Sequence, residues 1–371
     1  GDLTITAGTF NTLDSGGGSS HDLTVTGDVD ISGTLTCNAS AVSFGSLKCQ
    51  GSSTLTATSG TTTITSENSS GQAIVMNNTM TFDNNDGTFL ITTPAATNIY
   101  FKSDNALHHL TINHSSADIV LAGNPDDLKC EGDLTITAGI LRSTTSGATL
   151  EVDGDASVTG TLNWSGTSGG AVELGSLEIA SGGTYSATSG TTTITTGGTI
   201  AGTTNMAFGG EGTFTHNNGT ILLDSTLHRI PRGGTFYNLT LNGEQSTDGI
   251  YGYTTTMLPQ AVMPDGTTDA NYMSILGTLQ INNDEFRPYN TDKIYVHNLI
   301  IGDGTGSANS AKFDMSEADT FDGTVFVDNV TINSDGQLLF GDGDETSSTV
   351  GSSALNIYGA FRNLGGNVTI E

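Results

Sequence analysis

The chain has 371 residues, 50 of them Gly, and a formal net charge of −29 from 39 acidic and only 10 basic residues. A potential this negative repels phosphate backbones and anionic lipid, which excludes nucleic acid as a partner and a charge-driven contact with membranes. No run of about 18 apolar residues occurs, so we expect no membrane insertion. Regular strings of Thr, Val, Ile and Leu argue against a disordered chain.

A short repeat begins near the N-terminus. Residues 23–52 read LTVTGD, VDISGT, LTCNAS, AVSFGS and LKCQGS, each an apolar–polar–apolar triplet followed by small polar residues or Gly. Alternation with period two predicts a short strand with one buried face, and the residues after it permit a corner. The pattern predicts an all-β fold, a single-stranded parallel β-helix (β-solenoid), which we expect to be right-handed, with successive coils about 4.8 Å apart.

An antiparallel sandwich or barrel is the alternative fold. Its strands would be about 5–6 residues long and joined by hairpin signals such as Asn-Gly. The stretches NNDGT at 84–88 and NNGT at 217–220 are signals of this kind, but most corners follow strands of only three residues. The spacing therefore favours coils.

Nine residues, ATSGTTTIT, occur at 57–65 and again unchanged at 187–195. They include no charged or nucleophile-activating residue, which indicates a geometric purpose. Alternation predicts that Thr62 and Ile64 point inward and that Thr63 points outward. Outward Thr is also typical of ice-binding solenoids, but there it is aligned on every coil, whereas here it is scattered.

The nine residues belong to a longer duplication. GDLTITAG at 1–8 recurs at 132–139, and TFDNNDGTFLI at 81–91 corresponds to TFTHNNGTILL at 213–223, an internal duplication of about 130 residues. The sequence predicts a first β-helix block at 1–130, its duplicate at 131–245, an irregular loop or flap at 246–274 and a looser third block at 275–371. Because the pattern is already under way at Gly1, we expect the chain to be a processed product or a piece of a longer protein.

Three cysteines are too few for a fold built on disulfides. Cys49 and Cys130 each follow an inward Leu by two residues, so we expect both to be small core residues. A bridge between Cys37 and Cys49 is the alternative. Trp164 corresponds to Cys37 in the duplicate and is expected to point inward as well.

The repeats TFDNNDGTFLI, HHLTIN and GDLTITAG resemble the Thr-, Gly- and Asn-rich β-helical repeats of tailed-phage structural proteins, particularly those of marine phages. They are also similar to repeats of bacterial surface adhesins. The resemblance implies a non-enzymatic structural or adhesive rod module of a fibre, spike or surface decoration, at the virion surface or outside the cell. The partners implied are other virion or fibre subunits in a homo-oligomer or multi-copy assembly, and a host surface glycan or protein. A bacterial cell-surface adhesin is the alternative.

No catalytic residue is assigned. Some β-helical phage spikes cleave polysaccharide with paired carboxylates, which keeps a polysaccharide-degrading tailspike as a further alternative. With 39 acidic residues, however, carboxylate pairs are inevitable. No cofactor is expected other than Ca²⁺, which prefers carboxylate and carbonyl oxygens. The acidic turns that would suit it contain Asp303 and, in GDGDE, Asp342, Asp344 and Glu345.

The range from 243 to 274 breaks the repeat and is rich in Tyr and Met, side chains favoured at protein contacts. A loop of this length without secondary structure is usually functional or disordered. We therefore expect a partner-contact surface here, although a flap packed on the coils would give the same pattern. The predicted contact residues are Tyr251, Tyr253, Met257, Met263, Tyr272 and Met273.

Overall fold

The structure, a computed structural model, describes residues 1–16, 18–77, 79–101, 105–122, 127–166, 169–200, 203–224, 229–231, 233–243, 250–253, 261–262, 268–269, 272–287, 293–307, 310–315, 324–340 and 354–370. Every regular element among these residues is a β-strand, so the all-β prediction is confirmed for them. They include no helix that is long and apolar enough to cross a membrane.

The chain divides into two compact units, residues 1–173 and 174–371. The strands that lie wholly in the first unit are β1 (Leu3–Ile5), β2 (Thr9–Asn11), β3 (Leu23–Ile31), β4 (Thr34–Thr36), β5 (Val42–Cys49), β6 (Thr54–Thr56), β7 (Thr61–Ile64), β8 (Gln72–Met76), β9 (Thr81–Asp83), β10 (Thr88–Ile91), β11 (Thr97–Tyr100), β12 (Ala106–Leu107), β13 (His109–Leu121), β14 (Asp127–Cys130), β15 (Leu134–Ser143), β16 (Thr149–Val158) and β17 (Thr161–Asn163).

The remaining strands belong to the second unit, apart from the first two residues of β18. They are β18 (Val172–Ile179), β19 (Thr184–Ser186), β20 (Thr191–Ile194), β21 (Gly198–Ile200), β22 (Thr203–Met206), β23 (Phe208–Gly209), β24 (Thr213–Thr215), β25 (Thr220–Leu223), β26 (Arg229–Pro231), β27 (Gly234–Phe236), β28 (Asn238–Leu241), β29 (Ile250–Tyr253), β30 (Ala261–Val262), β31 (Thr268–Asp269), β32 (Tyr272–Ile281), β33 (Glu285–Arg287), β34 (Lys293–Ile301), β35 (Ala311–Met315), β36 (Thr324–Ile332), β37 (Gly336–Phe340), β38 (Ala354–Ile357), β39 (Phe361–Asn363) and β40 (Asn367–Ile370).

In the first unit, parallel ladders join strands that are distant in sequence. Leu3 of β1 lies opposite Val29 of β3, and Val29 in turn lies opposite Leu47 of β5. The same ladder continues through β8, β11 and β13. A second ladder joins β2, β4, β6 and β9. Because paired residues in register share a face, apolar side chains of successive strands stack into a continuous core.

The second unit repeats this arrangement. Ile221, Leu239, Leu279, Leu299 and Val330 follow one another in register through β25, β28, β32, β34 and β36. All of these pairs are parallel. The pairs β21–β22 and β30–β31 are antiparallel. The core of this unit is therefore also a stack of in-register apolar residues.

The predicted alternation in the repeated nine residues is confirmed. Ile64 and Ile194 are fully buried, and Thr62 and Thr192 are buried beside them, whereas the Thr between each pair is partly exposed. In the second copy the buried Thr192 hydroxyl lies 2.6 Å from the phenol oxygen of Tyr185, so its polar group is satisfied inside the core.

The predictions for the cysteines and Trp164 are confirmed as well. Cys37, Cys49 and Cys130 are all buried and free, so the alternative disulfide between Cys37 and Cys49 is wrong. Burial raises the pKa of each thiol to about 12. The thiols therefore stay protonated and behave as small apolar side chains. Trp164 is fully buried, with its indole N–H donated to the carbonyl of Ala148.

The Asn-rich turns are corners, which explains why they do not mark hairpins. Asn85 and Asp86 have φ of 51° and 55°, and Gly87 donates its N–H to the carbonyl of Asn84. Two consecutive left-handed residues closed by this bond form a type I′ turn, the usual hairpin turn. Here, however, the turn leads from β9 to β10, which pair in parallel with β6 and β7 respectively.

The same corner recurs in the second unit and accounts for the repeated nine residues. Asn217 and its successor have φ of 46° and 60°, matching the first copy. The side-chain amide of Asn85 donates to the carbonyl of Ala57, and that of Asn217 donates to the carbonyl of Ala187. Ala57 and Ala187 are the first residues of the two ATSGTTTIT copies. The duplicated segment therefore holds the duplicated corner.

A further contact explains the recurrent Gly–Asp pairs. The Asp2 carboxylate accepts the N–H of Asp28 at 3.1 Å, and the Asp133 carboxylate accepts that of Asp155 at 2.9 Å. A Cβ on Gly27 would lie 2.0 Å from the Asp2 oxygen. A side chain at Gly27 would therefore collide with the Asp2 carboxylate. The Asp of one Gly–Asp pair supplies the acceptor, and the Gly of the pair on the neighbouring strand leaves room for it. In the second unit Asn takes the acceptor role.

The range 246–274 is not one irregular loop. Strand β29 pairs in parallel with β26 and with β33, and β32 begins at Tyr272 with a ladder to β27 and β34. The sequence does not reveal this ladder, because the residues of β29, IYGY, do not alternate between apolar and polar. The division into four sequence blocks remains a prediction.

Candidate functional site

One face of the second unit gathers aromatic and ionisable side chains. Strands β34 and β36 bury alternate residues, such as Val296 and Val327, so the residues between them point outward. Register places Tyr295 opposite Phe326. Residues Lys293, Tyr295, His297, Phe326, Asp328 and Tyr358 on this side are partly or largely exposed, and we call them the outer strip.

Three residues of the outer strip form a hydrogen-bonded triad. Tyr295 donates its hydroxyl to Asp328 Oδ2 at 2.7 Å, and His297 Nδ1 lies 2.7 Å from the same oxygen. The side chains of His297 and Asp328 remain 46% and 33% exposed. Two partners on the neighbouring strand β34 therefore fix the carboxylate, while its surroundings remain open to solvent.

The triad shifts the ionisation of its members. Partial burial raises the pKa of Asp328, but the hydrogen bonds from Tyr295 and His297 and the electrostatic effect of His297 lower it, and the net pKa lies below its ordinary value. Burial, the hydrogen bond with Asp328 and the charge of that carboxylate raise the pKa of Tyr295 to about 12. The triad at neutral pH therefore presents a carboxylate beside a neutral phenol.

Flat aromatic surfaces lie next to the triad. The rings of Phe326 and Tyr358 are stacked, with centroids 6.3 Å apart and planes inclined by 11°. Tyr358 is 70% exposed. On the neighbouring strand, Lys293 Nζ lies 5.0 Å above the centre of the Tyr272 ring, within the range of a cation–π contact. The outer strip thus combines apolar planes with hydrogen-bonding groups.

A second charged cluster lies in the same unit but is buried. Arg287 Nε donates to Glu285 Oε1 at 2.9 Å and lies 3.9 Å from Asp314 Oδ2, and Lys312 Nζ is 3.9 Å from Glu285 Oε2. The carboxylates of Glu285 and Asp314 are only 7% and 6% exposed. Charges this deeply buried require partners, and the pairing across β33 and β35 supplies them. The cluster is therefore an internal ion network.

Asp284 adjoins this network and is also buried. Burial raises its pKa from 3.8 to about 7, against the opposing effect of N–H donors from Glu285 and Gly243. Burial also raises the pKa of Glu285, although Arg287 opposes this. The folded protein therefore binds a proton at Asp284 under conditions in which the unfolded chain does not.

We expect Asp284→Asn to have little effect near pH 4 and to stabilise the protein by an amount that grows as the pH rises to about 7. Between about pH 4 and 7 the native state holds the proton and the unfolded state has lost it, so wild-type stability falls as the pH rises through this window. The amide keeps the acceptor oxygen without the charge. The gain at about pH 8 has an upper bound of about 4 kcal/mol, three pKa units. Urea unfolding at the two pH values measures it, and an equal effect at both would contradict the assignment.

Of the predicted calcium ligands, only Asp303 lies among the described residues. Asp303 Oδ1 accepts the N–H and the hydroxyl of Thr305, both at 2.7 Å, and these bonds hold the pKa of Asp303 below its ordinary value. The buried Asp335 carboxylate accepts the N–H groups of Asp303, Gly304 and Gly306. Hydrogen bonds thus close this turn. Asp342, Asp344 and Glu345 lie outside the described residues, among which no three metal-binding side chains cluster.

The predicted contact residues lie only partly within the described residues. Tyr251 and Tyr253 lie in β29, and Met257 and Met263 lie outside the described residues. Tyr272 is partly exposed and contacts Lys293. Met273 is fully buried in β32, so its prediction as an exposed contact is wrong. The repeat resumes one residue before it, and alternation directs Met273 inward.

The outer strip itself was not predicted. The signal was present, because IYVHNLII and VFVDNVTI alternate and place Tyr295, His297, Phe326 and Asp328 on the face opposite the apolar residues. The sequence does not indicate which strands become neighbours, so the triad could not be assembled from it. For the chain as a whole, no protein-family model, curated protein or solved structure matches.

Proposed function

We propose that the chain is a parallel β-helix that serves as a non-enzymatic structural and adhesive rod module, exposed on a phage virion appendage. The observation that carries this proposal is the in-register stacking of apolar residues along each unit, such as Ile221, Leu239, Leu279 and Leu299. Stacking of this kind repeats one coil and leaves the outward positions free to vary. Function then resides on the outside.

The distribution of charge supports a structural use of the acidic residues. Four carboxylates among the described residues are nearly closed to solvent. Those of Asp284, Glu285 and Asp314 lie beside or within the internal ion network, and that of Asp335 accepts the N–H groups of the turn at 302–306. A catalytic pair for glycoside cleavage would need access to the substrate. The net charge of −29 suits a soluble surface present in many copies. Ca²⁺ at the GDGDE turn remains part of the proposal.

Two alternatives predict different locations or activities. A bacterial adhesin would present the same outward surfaces on a cell, and a tailspike would cleave host polysaccharide. Antibodies against the purified chain, used for immunogold electron microscopy of phage particles and of phage-free cells from the source, distinguish the first two. Gold on particles supports the proposal, whereas gold on phage-free cells would replace it with the adhesin. Release of reducing ends or unsaturated uronates from host polysaccharide would replace it with the enzyme.

A further inference from the structure

We propose that the outer strip of the second unit is a binding site for a neutral saccharide. This inference deepens the adhesive part of the proposed function and rests on it. It begins from the stacked pair of Phe326 and Tyr358, whose planes are inclined by only 11°. The two rings are nearly parallel, and the ring of Tyr358, one residue beyond β38, is 70% exposed and leaves an apolar ring surface open beside β36.

The second step is the position of the hydrogen-bonding groups. Tyr295 lies opposite Phe326 in register, so the triad begins on the strand next to the aromatic pair. Its members supply a carboxylate, an imidazole and a phenol, with the imidazole and the phenol each held 2.7 Å from Asp328 Oδ2. A sugar ring has an apolar C–H face and a rim of hydroxyl groups that both donate and accept. The strip offers a matching apolar plane and polar edge.

The third step is charge, which selects among saccharides. A chain with a net charge of −29 repels uronate, sulfate and phosphate groups. Within the strip, the Asp328 carboxylate adds to this repulsion, and the cationic Lys293 is engaged over the ring of Tyr272. An anionic polysaccharide would therefore be disfavoured, and a neutral one is the occupant that the surface fits.

The site is tested with the full chain by affinity electrophoresis through gels containing dextran, mannan, galactan or β-1,3-glucan, with alginate as an anionic probe. We expect at least one neutral polysaccharide to retard the wild type. Tyr358→Ala removes the exposed ring and should weaken retardation roughly tenfold or more, while Tyr358→Phe should retain it. His297→Ala should weaken it to a smaller extent, since the ring platform remains.

Phe10→Ala is the matched control, because Phe10 is an exposed aromatic residue of the first unit, 39% accessible. It should leave retardation unchanged, and circular dichroism should confirm that all variants fold. Failure of every neutral polysaccharide to retard the wild type would overturn the proposal, as would equal retardation of wild type and Tyr358→Ala. Retardation by alginate alone would overturn the charge argument. Each of these failures leaves the immunogold result, and hence the structural role, untouched.

Discussion

Ile64→Asp is expected to destabilise the first unit by more than about 4 kcal/mol, and Ile194→Asp the second unit by a similar amount. Both Ile side chains are fully buried. Each stands in a ladder, with Ile64 opposite Ile91 and Ile194 opposite Leu223, so an Asp would place a charge between apolar residues of adjacent strands. In the first ladder the other neighbour is Phe44, which is also buried.

The matched controls are Thr63→Lys and Thr193→Lys, one residue away in each strand. Both Thr residues point outward and are partly exposed, so the Lys side chain can extend into water. We expect a change within about 0.5 kcal/mol for either control. Urea unfolding followed by circular dichroism measures all four variants. If the inward and outward substitutions cost the same, the burial assigned to these strands is incorrect.

The core could be predicted because it depends on local alternation alone. Ile64 and Cys49 were placed inward by counting residues along a single strand, and Trp164 by its correspondence to Cys37 in the duplicate; all three are buried. A period of two is a property of the strand itself and does not require knowledge of its neighbours. The same reasoning would have placed Tyr295 and Phe326 outward.

The contacts between strands could not be predicted, because they depend on which strands become neighbours. His297 and Asp328 meet only through the pairing of β34 with β36. Asp335 likewise holds the turn at 302–306 from a distant part of the sequence, a contact that the sequence around Asp303 does not reveal. The Asn-rich corners were ambiguous for the same reason. A type I′ turn looks like a hairpin until the partners of the strands on either side are known.

The corners provide the second large effect. Gly87→Ala is expected to destabilise the first unit by about 3 kcal/mol, because a Cβ at this position would lie 1.9 Å from the carbonyl oxygen of Thr58. The backbone at Thr58, in the segment between β6 and β7, cannot move away without disturbing the bond from Thr88 N–H to the Gly60 carbonyl. Gly219→Ala should act in the same way in the second unit, where the Cβ would lie 2.2 Å from the carbonyl oxygen of Thr188.

Gly60→Ala is the control within the same corner. Its Cβ would meet only the Thr58 hydroxyl oxygen, at an ordinary contact distance of 3.6 Å, and its φ lies outside the left-handed region. Replacing Gly60 with Ala reduces the conformational entropy of the unfolded chain. We therefore expect the free energy of unfolding to stay the same or to rise by up to about 1 kcal/mol. Thermal and urea unfolding of Gly87→Ala, Gly219→Ala and Gly60→Ala measure these changes in stability. If Gly87→Ala is tolerated as well as Gly60→Ala, the corner does not pack against the carbonyl of Thr58 as closely as the structure has it.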